Sequence, residues 1–517
     1  MAEYVLEIGT LKAARIIRNT PHLYAIYIGN FSCGPDSYIL KYFKEEMADK
    51  PFLHIEIDEH SADAGAITRC EAFLDSIAQQ RQKNETVKRG AGETEIGEKV
   101  VSPIHRFADS PVRPPHCSSS ELKKRTVYIP LMADHAFAIK AAFERCGVSA
   151  EVLPESDKTS VDIGRKHVSG KECYPYLVTT GDMIRKVFSP DFKPGAAAFF
   201  MPSGTGPCRF GQYNVSHKLV LEKLGLNEVP IFAPTQDVTF YRELSIAGSD
   251  FSMTAWRGIV AYALLTKCLH ETRPHERETG EAWQLYKAYR EKIYRSLCSN
   301  GKGRMEDLLR SMRDDFRSVP RGSDQRPLIG VVGEIFVRSH RFSNEDLVSK
   351  IEALGGEVWL APVEEWLYYV NSISFKKALI KRRWSDMMNI SLKRFFQKRI
   401  EHRYGSCFKG FLRTLEEPVT REILDNASPY VHESFEGETV LSIGKIIDLV
   451  ENGAAGIINV MPFGCMPGTI VTALLKAMNR EYGIPTISIP YDGTESPANM
   501  LQLEAFMQSI TEKTSKK

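Results

Sequence analysis

The chain has 517 residues, 43% of them hydrophobic and 26% charged, with a formal net charge of +2. This length suits two or three domains, the composition is that of a globular protein, and the near-neutral charge gives no overall pull toward nucleic acid or membrane. No apolar stretch reaches about 18 residues, so no transmembrane helix is expected. The opening MAEYVLEIGTLKAARIIRNT lacks the basic region and apolar core of a secretory signal, which makes the cytoplasm the expected location.

In chain order, residues 1–78 read as an α/β tail, with an apolar run, a turn and a helix over 26–43. They match a later stretch: LYAIYIGNFSC (23–33) resembles AGIINVMPFGC (455–465), KPFLHIEID (50–58) resembles IPTISIPYD (484–492), and CEAFLDSI (70–77) resembles LEAFMQSI (503–510). The pieces keep their order and nearly their spacing, so residues 1–78 are expected to be a truncated unit that repeats the end of the chain. Residues 79–124 are polar and rich in charge, Ser and Pro, and are expected to be a disordered linker. From TVYIPLMADHAFAIKAAFERCGVSAEVLP onward, residues 125–275 alternate apolar strands with amphipathic helices. Residues 276–326 read as a charged helical connector. The pattern PLIGVVGEIFVRSHRFSNEDLVSKIEALGGEVWLAP opens a second alternating block over 327–517. Such alternation predicts an α/β fold of two Rossmann-like lobes with parallel sheets and helical insertions, beside the N-terminal α/β remnant.

The ten cysteines are expected in a reducing compartment, where metal and redox roles outweigh disulfides. No CxxC occurs to mark a ferredoxin, zinc ribbon or thioredoxin-like site. Four cysteines share one context: Cys33 in IYIGNFSCGPDSYILKYF, Cys173 in GKECYPYLVTTGDMIRKVF, Cys208 in FFMPSGTGPCRFGQY, and Cys465 in INVMPFGCMPGTIVTALLKAM. Each has Pro within two residues and a helical pattern after it. A thiolate so placed faces the free N–H groups of a helix N-terminus. The crevice at the carboxyl ends of parallel strands is also where α/β proteins bind ligands. Cysteines are equally common as buried core fillers, the reading given to Cys70, Cys146, Cys268 and Cys298, which fall in or near helical patterns. Cys117 and Cys407 lack the strand–turn–helix setting.

The motifs GKECYP, GPCRFGQY, GIINVMPFGCMPG and HESFEGETVLSIGKIIDL resemble the 2-hydroxyacyl-CoA dehydratase and double-cubane-cluster family. The likeness is nearest to the dehydratase-like C-terminal part of the large fused acyl-CoA dehydratase activase proteins, and it covers roughly 1–78 and 125–517. It implies a [4Fe–4S] cluster, in single or double-cubane form, held by Cys173, Cys208 and Cys465, with Cys33 a further candidate ligand. It also implies low-potential electron transfer, or reductive radical dehydration or reduction, with an acyl-CoA as candidate substrate. No phosphate-cradling motif is present, so the ATP-dependent activase that the resemblance implies would be a separate chain. Only the tail of a first dehydratase-like unit remains, and a homodimer would be one way to complete a double cubane. The alternative functional reading is a non-catalytic cluster- or metal-binding remnant of a fused activase system. A structural zinc protein is a third, although zinc would ask for a fourth Cys or His nearby.

Two further residues are candidates for acid–base work. Glu334 ends a strand in GVVGEIFVR, where it would either serve the crevice or cap a helix and pair with Arg338. His432 in YVHESFEGE would either serve the site or cap a turn. Residues 375–403 carry ten Lys or Arg against two acids, with Trp and Phe interleaved. They read either as a solvated amphipathic helix or as a docking surface for an anionic partner, CoA phosphates or an acidic activase. Nucleic acid is disfavoured, because nothing else in the chain is basic.

Overall fold

The computed structural model describes residues 2–30, 34–57, 63–88, 118–206, 208–299 and 305–514. It is mixed α/β and mostly helical, and among the described residues every sheet is wholly parallel. The chain divides into two compact units. One comprises Met1–Pro114 with Ser169–Glu172 and Glu222–Leu224. The other comprises Pro115–Val168, Cys173–Leu221 and Gly225–Lys517.

In the first unit, strands β1 (Ala25–Asn30) and β2 (Phe52–Ile57) pair in parallel from Ala25↔Phe52 to Asn30↔Ile57. Helices Ala2–Asn19 and Gly34–Met47 cover one face, around Ala14, Tyr27, Leu40, Phe43 and Met47. The element order β1, helix, β2, helix is that of the last elements of the chain, as the internal repeat implies. The segment expected to be a linker departs from that expectation at both ends. Helix Asp63–Lys88 runs through its first residues, because QQRQKNETVK is polar yet free of Gly and Pro and made mainly of acceptable helix formers. At the other end Ser118 and Glu121 form a reciprocal capping box on a short helix that buries Leu122. Residues 89–117 lie outside the described residues.

The second unit holds two sheets of one topology. In the first lobe, β3 (Thr126–Ile129), β4 (Ser149–Val152), β5 (Ala197–Phe200) and β7 (Ile231–Phe232) run in the order β4-β3-β5-β7; β6 (Ser203–Gly204) and β8 (Thr235–Gln236) pair just beyond β5 and β7. In the second, β9 (Leu328–Gly333), β10 (Glu357–Leu360), β11 (Gly456–Pro462) and β12 (Thr486–Tyr491) run β10-β9-β11-β12. The central strands read as continuous apolar runs because both their faces are covered: all of β5, and all of β9 after Leu328, is buried. In each sheet the first strand has its second to one side and its third to the other. This reversal opens a ligand crevice at the carboxyl ends of β3 and β5, and again at those of β9 and β11.

A helical layer completes the unit. Met305, Leu309, Met312 and Phe316 recur at helical spacing along Met305–Ser318 and are buried with Tyr262, Tyr289, Leu265 and Phe408. The neighbouring helix Glu281–Cys298 buries Ala282, Tyr286, Tyr289, Ile293 and Leu297 by the same periodicity. Among the described residues, no helix is long and apolar enough to cross a membrane.

Candidate functional site

The two crevices contribute to one cavity of about 300 Å³ in the second unit. Gly204, Gly206, Cys208, Glu334, Glu438 and Met466 are among its lining residues. The cysteines of the three shared motifs are all N-cap residues. Cys173 precedes helix Tyr174–Val187, Cys208 precedes the 3₁₀ turn Arg209–Gln212, and Cys465 precedes helix Met466–Tyr482. Pro175 and Pro467 stand two residues into their helices, where a missing N–H costs nothing and the fixed φ favours the first turn.

None of the thiols completes a capping hydrogen bond. One backbone amide nevertheless favours each thiolate: Tyr176 for Cys173, Phe210 for Cys208 and Gly468 for Cys465. The Cys173 Sγ also lies 2.6 Å from the Tyr213 hydroxyl.

The three sulfurs are close enough for their charges to interact. Burial raises the Cys208 thiol most, and Glu438, Cys465 and Cys173 raise it further. Burial likewise raises Cys465, reinforced by Glu438, Glu334 and Cys173. Cys173 is pushed up to about 11 by burial, against the pull of Arg209 and Tyr213. Cys208 is exposed and Cys465 half-buried by surface area, yet both are hemmed in by protein, which is what disfavours their charged forms. At neutral pH the bare thiols are protonated, so a thiophilic metal would have to displace protons to bind.

Glu334 is brought here by Gly333, whose φ of +113° lets β9 end against β11. A Cβ at Gly333 would lie 2.0 Å from the Val460 carbonyl oxygen, whereas the Glu334 N–H donates to that same oxygen at 3.0 Å. The Glu334 carboxylate then accepts from the N–H groups of Phe336 and Val337 at 3.1 and 2.8 Å. Glu438, first residue of helix Glu438–Glu451, accepts from the Ile335 N–H at 2.9 Å, and its Oε2 is buried with no partner. Burial raises both carboxyls, and the nearby Glu438 further disfavours charge on Glu334. Two enclosed carboxyls beside three thiols thus keep negative charge low in the bare site.

The donor set suits an iron–sulfur cluster: soft thiolates, helix N-termini and amides facing sulfur. Among the described residues no three His, Cys, Asp or Glu side chains close around a point as ligands of a single ion.

The other candidates fall elsewhere. His432 is exposed and caps the turn Glu433–Phe435 by accepting from the Ser434 N–H; it does not line the cavity. Cys268 and Cys407 are buried in the helical layer. Cys298 ends a helix beside Glu144. Cys33 and Cys117 lie outside the described residues. The basic segment forms the end of helix Glu364–Ile380 and most of Trp384–Gly405, and its Lys377 lines the cavity. Tyr213 and Glu438 carry no local signal of a site role, although Tyr213 ends GPCRFGQY and Glu438 lies in HESFEGETVLSIGKIIDL.

No protein-family model and no curated protein matches the chain.

Proposed function

We propose that the chain is an iron–sulfur protein of the 2-hydroxyacyl-CoA dehydratase-like class. It acts in low-potential electron transfer or in reductive radical dehydration or reduction, together with a separate ATP-dependent activase. One observation carries the reading: cysteines from three distant motifs cap three helical segments within electrostatic reach of one another, beside a paired-carboxyl site and an apolar cavity. Cys173, Cys208 and Cys465 would hold a [4Fe–4S] cluster, and when bound it supplies single electrons at low potential.

The chain's own residues supply the rest. The apolar walls exclude water and suit the acyl part of an acyl-CoA. Glu334 and Glu438 disfavour a double negative charge, so one of them retains a proton beside the thiols. Lys377 reaches the cavity wall from the basic segment, where it pairs with Glu436 at 3.1 Å, so an anionic ligand there would compete with that carboxylate.

Anaerobic purification with iron and sulfide analysis tests the reading. The expected protein is brown and retains iron, and it hydrolyses no ATP unaided. Cys465→Ser should lower iron content and bleach the colour, because serine is a poor ligand for a site built of soft thiolates. Cys298→Ser should do neither. Full iron in Cys465→Ser with loss in Cys298→Ser would overturn the assignment, and a colourless protein that retains zinc would replace it with the structural-zinc reading.

A further inference from the structure

The two lobes place different residues at equivalent points. In the second lobe the loop after the first strand, β9, delivers Glu334 to the cavity. In the first lobe the loop after the first strand, β3, delivers His135. His135 opens helix Ala136–Arg145 but makes no capping bond. Both of its ring nitrogens are buried and neither has a hydrogen-bond partner. It lines the 300 Å³ cavity and also a smaller one of about 160 Å³ that shares Ala133 and Val363 with it. An unpaired buried imidazole is costly, and the ligand cavity is where that cost would be recovered.

The surroundings define the ligand. Phe200, Phe240, Phe251, Trp256, Trp366 and Tyr369 are among the residues facing the cavity. Its volume is about twice that of an engineered apolar cavity of ~150 Å³ that accepts benzene. Burial pushes His135 down to about 4. The ring is therefore neutral at pH 7, with one nitrogen donating and the other accepting. The adjacent Asp134 is engaged elsewhere, by the Tyr286 hydroxyl and by Arg290.

We propose that His135 is a specificity-determining residue of this cavity, hydrogen-bonding an uncharged oxygen, carbonyl or hydroxyl, on an aromatic or branched aliphatic ligand group. The proposal deepens the reading of the cavity as a substrate site. It does not depend on iron, and it can fail while the iron assignment stands.

Acetophenone and ethylbenzene are probes of nearly equal size that differ in one carbonyl oxygen. Calorimetric titration of the full chain at pH 7 should show tighter binding of acetophenone. His135→Ala should weaken acetophenone binding roughly fivefold to tenfold, the worth of one net hydrogen bond, and leave ethylbenzene unchanged within about twofold. His135→Gln, which keeps a donor and an acceptor, should restore part of the preference. Circular dichroism and thermal melting would establish that the variants are folded. Failure of both probes to bind, or an acetophenone preference that survives in folded His135→Ala, would overturn the proposal.

Discussion

Asp182 shows how a single buried carboxyl shapes the pH response of this chain. It sits in helix Tyr174–Val187, almost wholly buried, and accepts from the hydroxyls of Ser156 and Ser160. Arg185 approaches it at 3.8 Å but is shared with Asp157 at 3.1 Å. His340 meets Ser156 from across the contact, and burial holds it neutral above about 4. Burial outweighs the serines and Arg185 and lifts Asp182 to about 6. A folded-state value above the unfolded one means that the native protein binds the proton more tightly. The contribution of Asp182 to stability is therefore greatest below pH 4, falls as pH rises through 6, and is level above that. The expected size is on the order of 2–3 kcal/mol, from about two pK units. Asp182→Asn keeps one of the two acceptor oxygens and removes the titration. The stability difference between variant and wild type, from denaturant midpoints, should grow between pH 4 and pH 6.5 in favour of Asn. A difference that stays constant across that range would show that Asp182 ionises like an ordinary carboxylate.

At the scale of elements, the helix that presents Cys173 is docked by an absence of side chains. A Cβ at Gly181 would lie 1.8 Å from the Ser160 carbonyl oxygen, and one at Gly164 would lie 2.2 Å from that of Leu177. Helices Lys158–Arg165 and Tyr174–Val187 thus touch backbone to backbone in both directions. Gly181→Ala must push them apart, at about 1–3 kcal/mol, and must displace Cys173 at the N-terminus of the moved helix. The expected result is a lower iron content as well as a lower melting temperature, whereas Gly195→Ala, with nothing within 4 Å of its added carbon, should change neither. Unaltered iron in a destabilised Gly181→Ala would mean that the helix position does not set the thiol. This docking was not legible in the sequence, although its consequence was. A cysteine followed two residues later by Pro is a local signal, and it led to Cys173 and Cys465 as helix caps. The buried parallel strands were legible for the same reason, as unbroken apolar runs such as AAFF and LIGVVG. Partners brought together only by the fold left no such trace. Glu438 faces Glu334 because two loops of one sheet converge, and His135 reaches the same cavity from the other lobe. Glu334, ending a strand, and His432, before a helical pattern, each had two readings in sequence, a site role or a cap. Topology sends one into the cavity and leaves the other at the surface.

Across the second unit as a whole, a buried ionic network ties the helical layer to the second lobe. Lys445, on helix Glu438–Glu451, is 1% exposed and contacts Glu417 at 2.8 Å, Asp448 at 2.9 Å and Glu365 at 3.9 Å. Glu417 is also bound at 2.6 Å by Lys267, from helix Phe251–His270 in the helical layer. Burial alone would raise Glu417, but the two lysines overcome it and hold the carboxyl well below its usual range. For the same reason Lys445 is held above its usual value: burial opposes its charge and is outweighed by Glu417, Glu365 and Asp448. Such a network need not stabilise the fold relative to an apolar core of equal volume, yet removing one partner strands the others. Lys445→Met is of similar length and leaves Asp448 and half of Glu417 without a buried cation. It should cost about 3–5 kcal/mol. The double variant Lys445→Met with Asp448→Asn removes one stranded charge and should recover part of that loss. Two-state unfolding is a property of small single domains, so for this chain the measurement is the first transition in a denaturant series followed by tryptophan fluorescence. If Lys445→Met leaves that transition in place, or if the double variant is less stable than the single one, the network does not join the helical layer to the lobe energetically, and apolar packing alone holds the two together.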